Sequence, residues 1–310
     1  MLENIFTVGQ QVLILFLLIA LGFICGKTKL ITESGAQCLN NLVLYVVTPC
    51  VIIKSFIRTF DSSMLSGILL AATLAALVHI VSIGIATLVF RDKDAARRCV
   101  YRFSVVFSNC AFMSLPLQQA VLGDDGVFYA AIYIAVFNIS LWTYGVVMMS
   151  GNRQFLSLKK IIFNPGIVGV IIGLCIFIFN IPLPELITEP ISYIAALNTP
   201  VPMLFIGYYL SKSNLPDAFK DPKSYAAIAL RLIIIPLITF GGLYICGVRG
   251  VILVSCVISA SAPAAATTTM FAAKFERDVG LGVNIVTLST LFSVVTMPVI
   301  VGLAQLAGGT

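Results

Sequence analysis

Charge is what this sequence has least of. Charged residues make up 10% of its 310 positions and hydrophobic residues 59%, where an ordinary soluble domain carries roughly a quarter charged. A soluble single domain is excluded, and the chain reads as an all-α polytopic membrane protein. The acids are placed as tellingly as they are scarce. All 13 lie between long uncharged runs or at their ends, so no mid-span carboxylate is available to line a cation or proton-exchange site. There is one histidine, His79, and the eight cysteines show no C-x-x-C spacing, which leaves neither a zinc site nor a redox motif and implies no cofactor. No G-x-S-x-G, H-E-x-x-H, Walker A or kinase-like string occurs, so the residues offer no catalytic constellation and no self-powered pump.

What is there is hydrophobic length. A transmembrane helix needs about 20 mostly apolar residues, and ten such runs are expected at 6–25, 35–57, 63–90, 99–121, 127–149, 163–180, 189–211, 223–246, 251–273 and 281–305. The N-terminal MLENIF carries an acid where a cleavable signal has basic residues, so the first run reads as a retained helix. Alternate loops hold nearly all the lysines and arginines, among them Lys27, Arg91, Arg97, Arg98, Lys159, Lys160, Lys220, Lys223 and Arg277, whereas Arg58 and Arg249 fall on the other side. The positive-inside rule then puts the basic loops in the cytoplasm and both termini outside a cell (inner) membrane. The net charge of +6 is topology, and no nucleic-acid partner follows from it.

The sequence repeats at an offset of about 152 residues. Thr48-Pro49 in VVTPCVIIKSF matches Thr199-Pro200 in LNTPVPMLFIGYYL, and GDDGVFYAAIYIAVFNIS from Gly123 matches ERDVGLGVNIVTLSTLFS from Glu276. Each half, 1–154 and 155–310, holds five runs. An odd number forces the second copy to enter the bilayer from the opposite face, which makes this a 5+5 inverted repeat, an architecture of secondary transporters.

In the fourth run the apolar pattern is interrupted by SNCAFMSLP, 108–116, and at the matching place in the ninth by SASAPAAATTT, 259–269. Two interrupted helices that cross at mid-membrane put half-helix ends, with their partial charges, where an anion can use them. The candidate substrate contacts are Asn109, Cys110 and Pro116 from the first interruption, and Ser261, Pro263, Thr267 and Thr268 from the second. Carbonyls and hydroxyls around Ser261, Thr267 and Thr269 can also be read as a sodium site; no other metal site is expected. A proline kink or hydroxyl packing is the plainer reading of one interruption alone, but two at equivalent places ask for more. Asn138 is expected either to reach the crossing or to hydrogen-bond a neighbouring helix. His79 reads as a buried neutral side chain or a proton relay. Lys54 and Arg231 lie near enough to an interface to snorkel, and Arg231 can attract a carboxylate from the cytoplasmic side. Asp61, Asp125 and Asp278 read as caps next to helix starts.

The succession NLVLYVVTPCVII, SNCAFMSLPLQQAVLGDDG, NPGIVGVIIGL, NTPVPMLFIGYYL, SAPAAATTTMFAAKF resembles the auxin efflux carrier family, whose bacterial members are organic-acid permeases. The resemblance implies a PIN-like fold akin to bile-acid symporters and sodium/proton antiporters. It would comprise a scaffold, 1–58 and 161–211, a mobile transport domain, 59–150 and 220–310, crossed broken helices 4 and 9, elevator motion, and a homodimer formed through the scaffold. The long cytoplasmic loop of many plant carriers is missing here, so no regulation is carried over from it.

Together these readings give a secondary transporter for a small organic anion, a mono- or dicarboxylate, working by alternating access in the lipid bilayer. Export of one negative charge gains about 2.3 kcal/mol per 100 mV, so uniport efflux needs no coupled ion. Sodium- or proton-coupled symport is the alternative, and a membrane-embedded sensor a more distant one.

Overall fold

The computed structural model of the chain describes residues 2–212 and 221–309, so Asp217 and Lys220 lie outside the described residues. Among these the architecture is helical throughout, with one isolated antiparallel bridge, Ser108 to Ala264, and no strand. The helices are α1 (Leu2–Lys27), α2 (Glu33–Phe56), α3 (Ser62–Val89), α4 (Ala95–Val106), α5 (110–122), α6 (124–150), α7 (Leu158–Ile162), α8 (Pro165–Ile178), α9 (Glu185–Ala196), α10 (Pro200–Lys212), α11 (Pro222–Ile245), α12 (Gly250–Ser261), α13 (Thr267–Lys274) and α14 (Val279–Gly308).

Among the described residues, seven helical stretches are long and apolar enough to cross a membrane, and Pro165–Ile178 and Gly250–Ser261 are shorter apolar helices. One of the seven, Cys110–Ser150, has 41 residues, about 60 Å at 1.5 Å per residue and twice the thickness of the hydrocarbon. It is interrupted at Gly123 (φ 63°, ψ −152°), a conformation open to glycine alone among common residues, which is why α5 and α6 are counted separately. Large apolar side chains such as Leu69 (66% exposed) and Ile80 (62%) face outward, as a lipid-facing surface requires and water would penalise.

Proline shapes the long helices in a recurring way. Val43–Val47 precedes Thr48-Pro49, Cys110–Ser114 precedes Leu115-Pro116, and Leu230–Ile234 precedes Ile235-Pro236; each is a π-turn. Proline lacks the N–H for the i−4 carbonyl and clashes with it, and one widened turn accommodates both defects without ending the helix. Thr199-Pro200 behaves differently: the chain turns at 197–199, splitting the seventh apolar run into α9 and α10.

Helix α1 lies tightly on α10. A Cβ placed on Gly22 would strike the backbone of Leu204, and one on Gly207 the backbone of Ile19 and Phe23, so the two backbones touch where small residues allow it. Helix α2 packs likewise on α8, with Phe56 from α2 and Phe177 from α8 meeting Phe128 of α6 in an aromatic cluster. Helices α5 and α12 pack against each other and against α6 and α14, and this contact positions the site.

Candidate functional site

Both interruptions anticipated from the sequence are present, and they meet. Helix α4 ends at Val106 and Phe107 is extended (φ −100°, ψ 110°); α12 ends at Ser261 and Ala262 is extended (φ −62°, ψ 146°). The extended segments then pair: the Asn109 amide donates to the Pro263 carbonyl at 2.7 Å, and the Ala265 amide to the Phe107 carbonyl at 2.9 Å. Pro263 is suited to its place because it has no N–H to satisfy and is needed only as an acceptor. The Ala264 amide donates to the Ser289 hydroxyl of α14 at 3.2 Å. In this way the unwound backbone is satisfied by protein, as burial requires.

Helix ends remain. The carbonyls of Val105 and Ala260 lose their normal helical partners, since the amides of Asn109 and Ala264 bond elsewhere. Arg231 of α11, at 1% exposure the largest fully buried side chain among the described residues, supplies the replacement. It donates through Nη1 to the carbonyls of Val105 (2.9 Å) and Val106 (3.2 Å) and through Nη2 to that of Ala260. One guanidinium therefore caps the C-terminal ends of α4 and α12 together, and no carboxylate pairs with it among the described residues. This corrects the snorkelling expectation: Arg231 is directed into the crossing and away from the interface.

The electrostatic sum is simple. Each C-terminal end carries about −0.5 of an elementary charge and each N-terminal end about +0.5. The arginine's full positive charge offsets the two negative ends. What is left uncompensated is the pair of N-terminal ends, α5 beginning at Cys110 and α13 at Thr267, and such ends favour anions. The hydroxyls of Thr267 and Thr268 in the first turn of α13, and Nε of Arg231, are buried without a hydrogen-bond partner, and buried polar atoms of that kind call for a ligand or water.

The other sequence candidates sort as follows. Asn109 (6% exposed) and Cys110 (0%) lie at the start of α5. Pro116 is buried within α5, behind the π-turn and seven residues beyond the unwound segment, so it shapes the half-helix rather than the interruption. Ser261 donates to the Ile258 carbonyl of its own helix at 3.1 Å. Asn138 does not join the crossing: its amide donates to Ile134 (3.0 Å) and accepts from Asn164 at the cap of α8 (3.2 Å), so the interhelical alternative is the observed one. His79 is buried, with Nδ1 2.7 Å from the Ala75 carbonyl and its ring among Phe107, Tyr133 and Phe137. Asp278 caps α14, accepting from Leu281 at 2.9 Å, whereas Asp125 pairs with Arg58 at 2.5 Å and is no cap. The side chains of Ser114, Gln118, Ser255 and Ser259, not singled out in the sequence, form a buried polar seam between α5 and α12; the Gln118 amide donates to the Ser255 carbonyl at 2.8 Å. Their i, i+4 spacing on both helices was the available signal.

At one end of the bundle, the loops before α4, α11 and α14 are tied by charge. Arg97 donates to Asp221 (3.0 Å) and to the Tyr101 hydroxyl (2.8 Å), that hydroxyl donates to Asp221, and Lys223 reaches Asp92 at 2.6 Å. Burial alone would push the Asp221 carboxyl up, but hydrogen bonds from Tyr101 and Ser224 and the charge of Arg97 outweigh it and hold it below its ordinary range. The hydrogen bond from Lys223 lowers that of Asp92.

A family of membrane transport proteins matches residues 7–158 and 153–301 of this chain. The chain belongs to this family, that of the auxin efflux carriers. Its relatives include an uncharacterized transporter of Methanothermobacter thermautotrophicus, 25% identical over 293 residues and covering 93% of this chain and 96% of that protein. Another, from Methanocaldococcus jannaschii, is 24% identical over 299 residues, covering 92% and 95%. The carrier is thus a helical membrane transporter.

Proposed function

We propose that this auxin efflux carrier family member moves a small organic anion, a mono- or dicarboxylate, by elevator-type alternating access. The observation that carries the reading is the meeting of the two interrupted helices: their C-terminal ends are neutralised by a buried arginine and their N-terminal ends are left for a negative solute. In this reading the helices make ten passes, α4 with α5, α9 with α10 and α12 with α13 each forming one, arranged as a 5+5 inverted repeat in the cell membrane with both termini outside. Asn109, Cys110, Thr267 and Thr268 then border the substrate, α1, α2, α8, α9 and α10 form a dimerising scaffold, and the remainder moves. The close glycine contacts of α1 on α10 support a rigid scaffold.

Arg231 also bears on the energy source. Three carbonyls of the crossing that could coordinate a sodium ion already accept from its guanidinium, so transport should have no obligatory sodium requirement. The test is uptake of radiolabelled carboxylates into proteoliposomes with sodium replaced by potassium. Unchanged rates are expected. Loss of flux on replacement would overturn the uncoupled reading, and flux of cations without carboxylates would overturn the anion.

A further inference from the structure

Away from the crossing, a cleft of about 240 Å³ opens between helices that the proposed elevator assigns to different bodies. Lys54 near the end of α2 and Asn198 in the turn between α9 and α10 come from the scaffold side; Gln119 and Asp124, at the junction of α5 and α6, come from the moving side. The cleft is smaller than the roughly 300–1,000 Å³ of drug-sized sites, so its occupant is small.

Two of its side chains lack partners. Lys54 is half-buried, and its ammonium makes no ion pair or hydrogen bond among the described residues. Asn198 is 5% exposed and its Oδ1 is buried with no hydrogen-bond partner. A buried acceptor without a donor is costly, and an unpaired ammonium beside it is free to take an anion. A ligand bearing a negative group and a donor satisfies both. Asp124, the one acid of the cleft, is exposed at its rim and accepts from Gln119 at 3.1 Å, and it forms no ion pair with Lys54. Snorkelling accounts for a lysine that reaches water at a helix end, but it leaves the Asn198 oxygen unexplained.

We infer that Lys54 and Asn198 form a docking site for a small carboxylate carrying a hydroxyl or amine beside the carboxyl group, distinct from the crossing. The carboxylate pairs with the Lys54 ammonium, and the neighbouring donor bonds to Asn198 Oδ1. The inference rests on the anion reading above and names both a substrate class and the residues that select it.

Calorimetric titration of the purified full-length carrier with lactate, propionate and alanine at neutral pH tests it, with the Asn109→Ala variant as background to remove the crossing's contribution. Lys54→Gln should weaken lactate binding about tenfold, the scale of a charged hydrogen bond, and Lys54→Arg should restore most of it. Asn198→Ala should abolish the preference for lactate or alanine over propionate, with the thermal unfolding midpoint showing that each variant is folded. The relative affinities of lactate and alanine identify the donor as hydroxyl or amine. Should wild type bind and transport carboxylates while Lys54→Gln binds lactate equally well, the docking site is wrong and the crossing stands. If no carboxylate binds wild type at all, both readings fall.

Discussion

Two arginines of this carrier, Arg231 and Arg97, do opposite work with the same side chain. Arg97 lies at the charged end of the bundle, with side-chain exposure of 39% and Asp221 and Asp278 for partners. Arg231 is enclosed at the crossing and meets only backbone carbonyls. An exposed ion pair is worth about 0–1 kcal/mol, because water solvates both partners nearly as well when they separate. A buried guanidinium has no such alternative, and neither do the carbonyls it caps. A carboxylate beside Arg231 would cancel its charge and repel an anion from the N-terminal ends nearby. Carbonyl partners leave that charge free to offset the helix ends. The difference teaches that what distinguishes the candidate site from a surface latch here is the choice of partner rather than the presence of charge.

The largest effect should follow from removing Arg231. Arg231→Met keeps much of the volume but strips three buried carbonyls of their donor, each loss costing about 1–3 kcal/mol. We expect a stability loss of roughly 3–5 kcal/mol, as for breaking a buried charged network, and anion flux reduced to background. Arg231→Lys, which keeps the charge but cannot span both helix ends with a planar fork, should fold and transport at a few per cent of wild type. The checks are thermal unfolding in detergent and proteoliposome flux. An Arg231→Met protein that unfolds and transports like wild type would erase the contrast between the two arginines.

Gln118 gives an intermediate case, buried yet uncharged. It ties α5 to α12 through Ser255 and Ser259, but its Oε1 has no partner. Gln118→Leu removes those bonds together with the orphaned oxygen, so the two changes partly cancel. A loss of about 1 kcal/mol is expected, with flux within threefold of wild type. A loss as large as that of Arg231→Met would mean that the seam, and not the arginine, holds the crossing together.

Much of this was legible in the sequence, and the rest was hidden for a definable reason. Helix positions follow from apolar run length, a local property, so Glu33–Phe56 and Pro222–Ile245 fall within two residues of the runs that foretold them. The interruptions were legible too, because Asn109 and Pro263 break the pattern where they stand. Arg231 was misread because its partners lie on α4 and α12, far away in the chain, and nothing in RLIIIP announces them. Asn138 was left open for the same reason: whether an amide faces a ligand or Asn164 depends on which helix arrives beside it. Orphaned atoms such as Asn198 Oδ1 exist only once the packing is known.

The smallest effect belongs to the charged end, and its sign is fixed by the carboxyl of Asp221. That group titrates lower in the folded protein than in an unfolded chain, where a free aspartate has a pKa of about 3.9. Its contribution is therefore fully present above the unfolded value and is lost as the pH falls through the folded one. Asp221→Asn should cost less than about 1 kcal/mol at pH 7, since the pair is partly exposed and screened. The gap between wild type and variant should close as the pH is lowered from about 5 toward 3, and it should also shrink in high salt, where a Debye length of about 3 Å screens exposed charges. Thermal unfolding of both proteins across that pH range measures it. A gap that persists in acid would mean that Asp221 acts through neutral hydrogen bonds to Tyr101 and Ser224, and the charged end would then resemble the crossing, with geometry and not ionisation doing the holding.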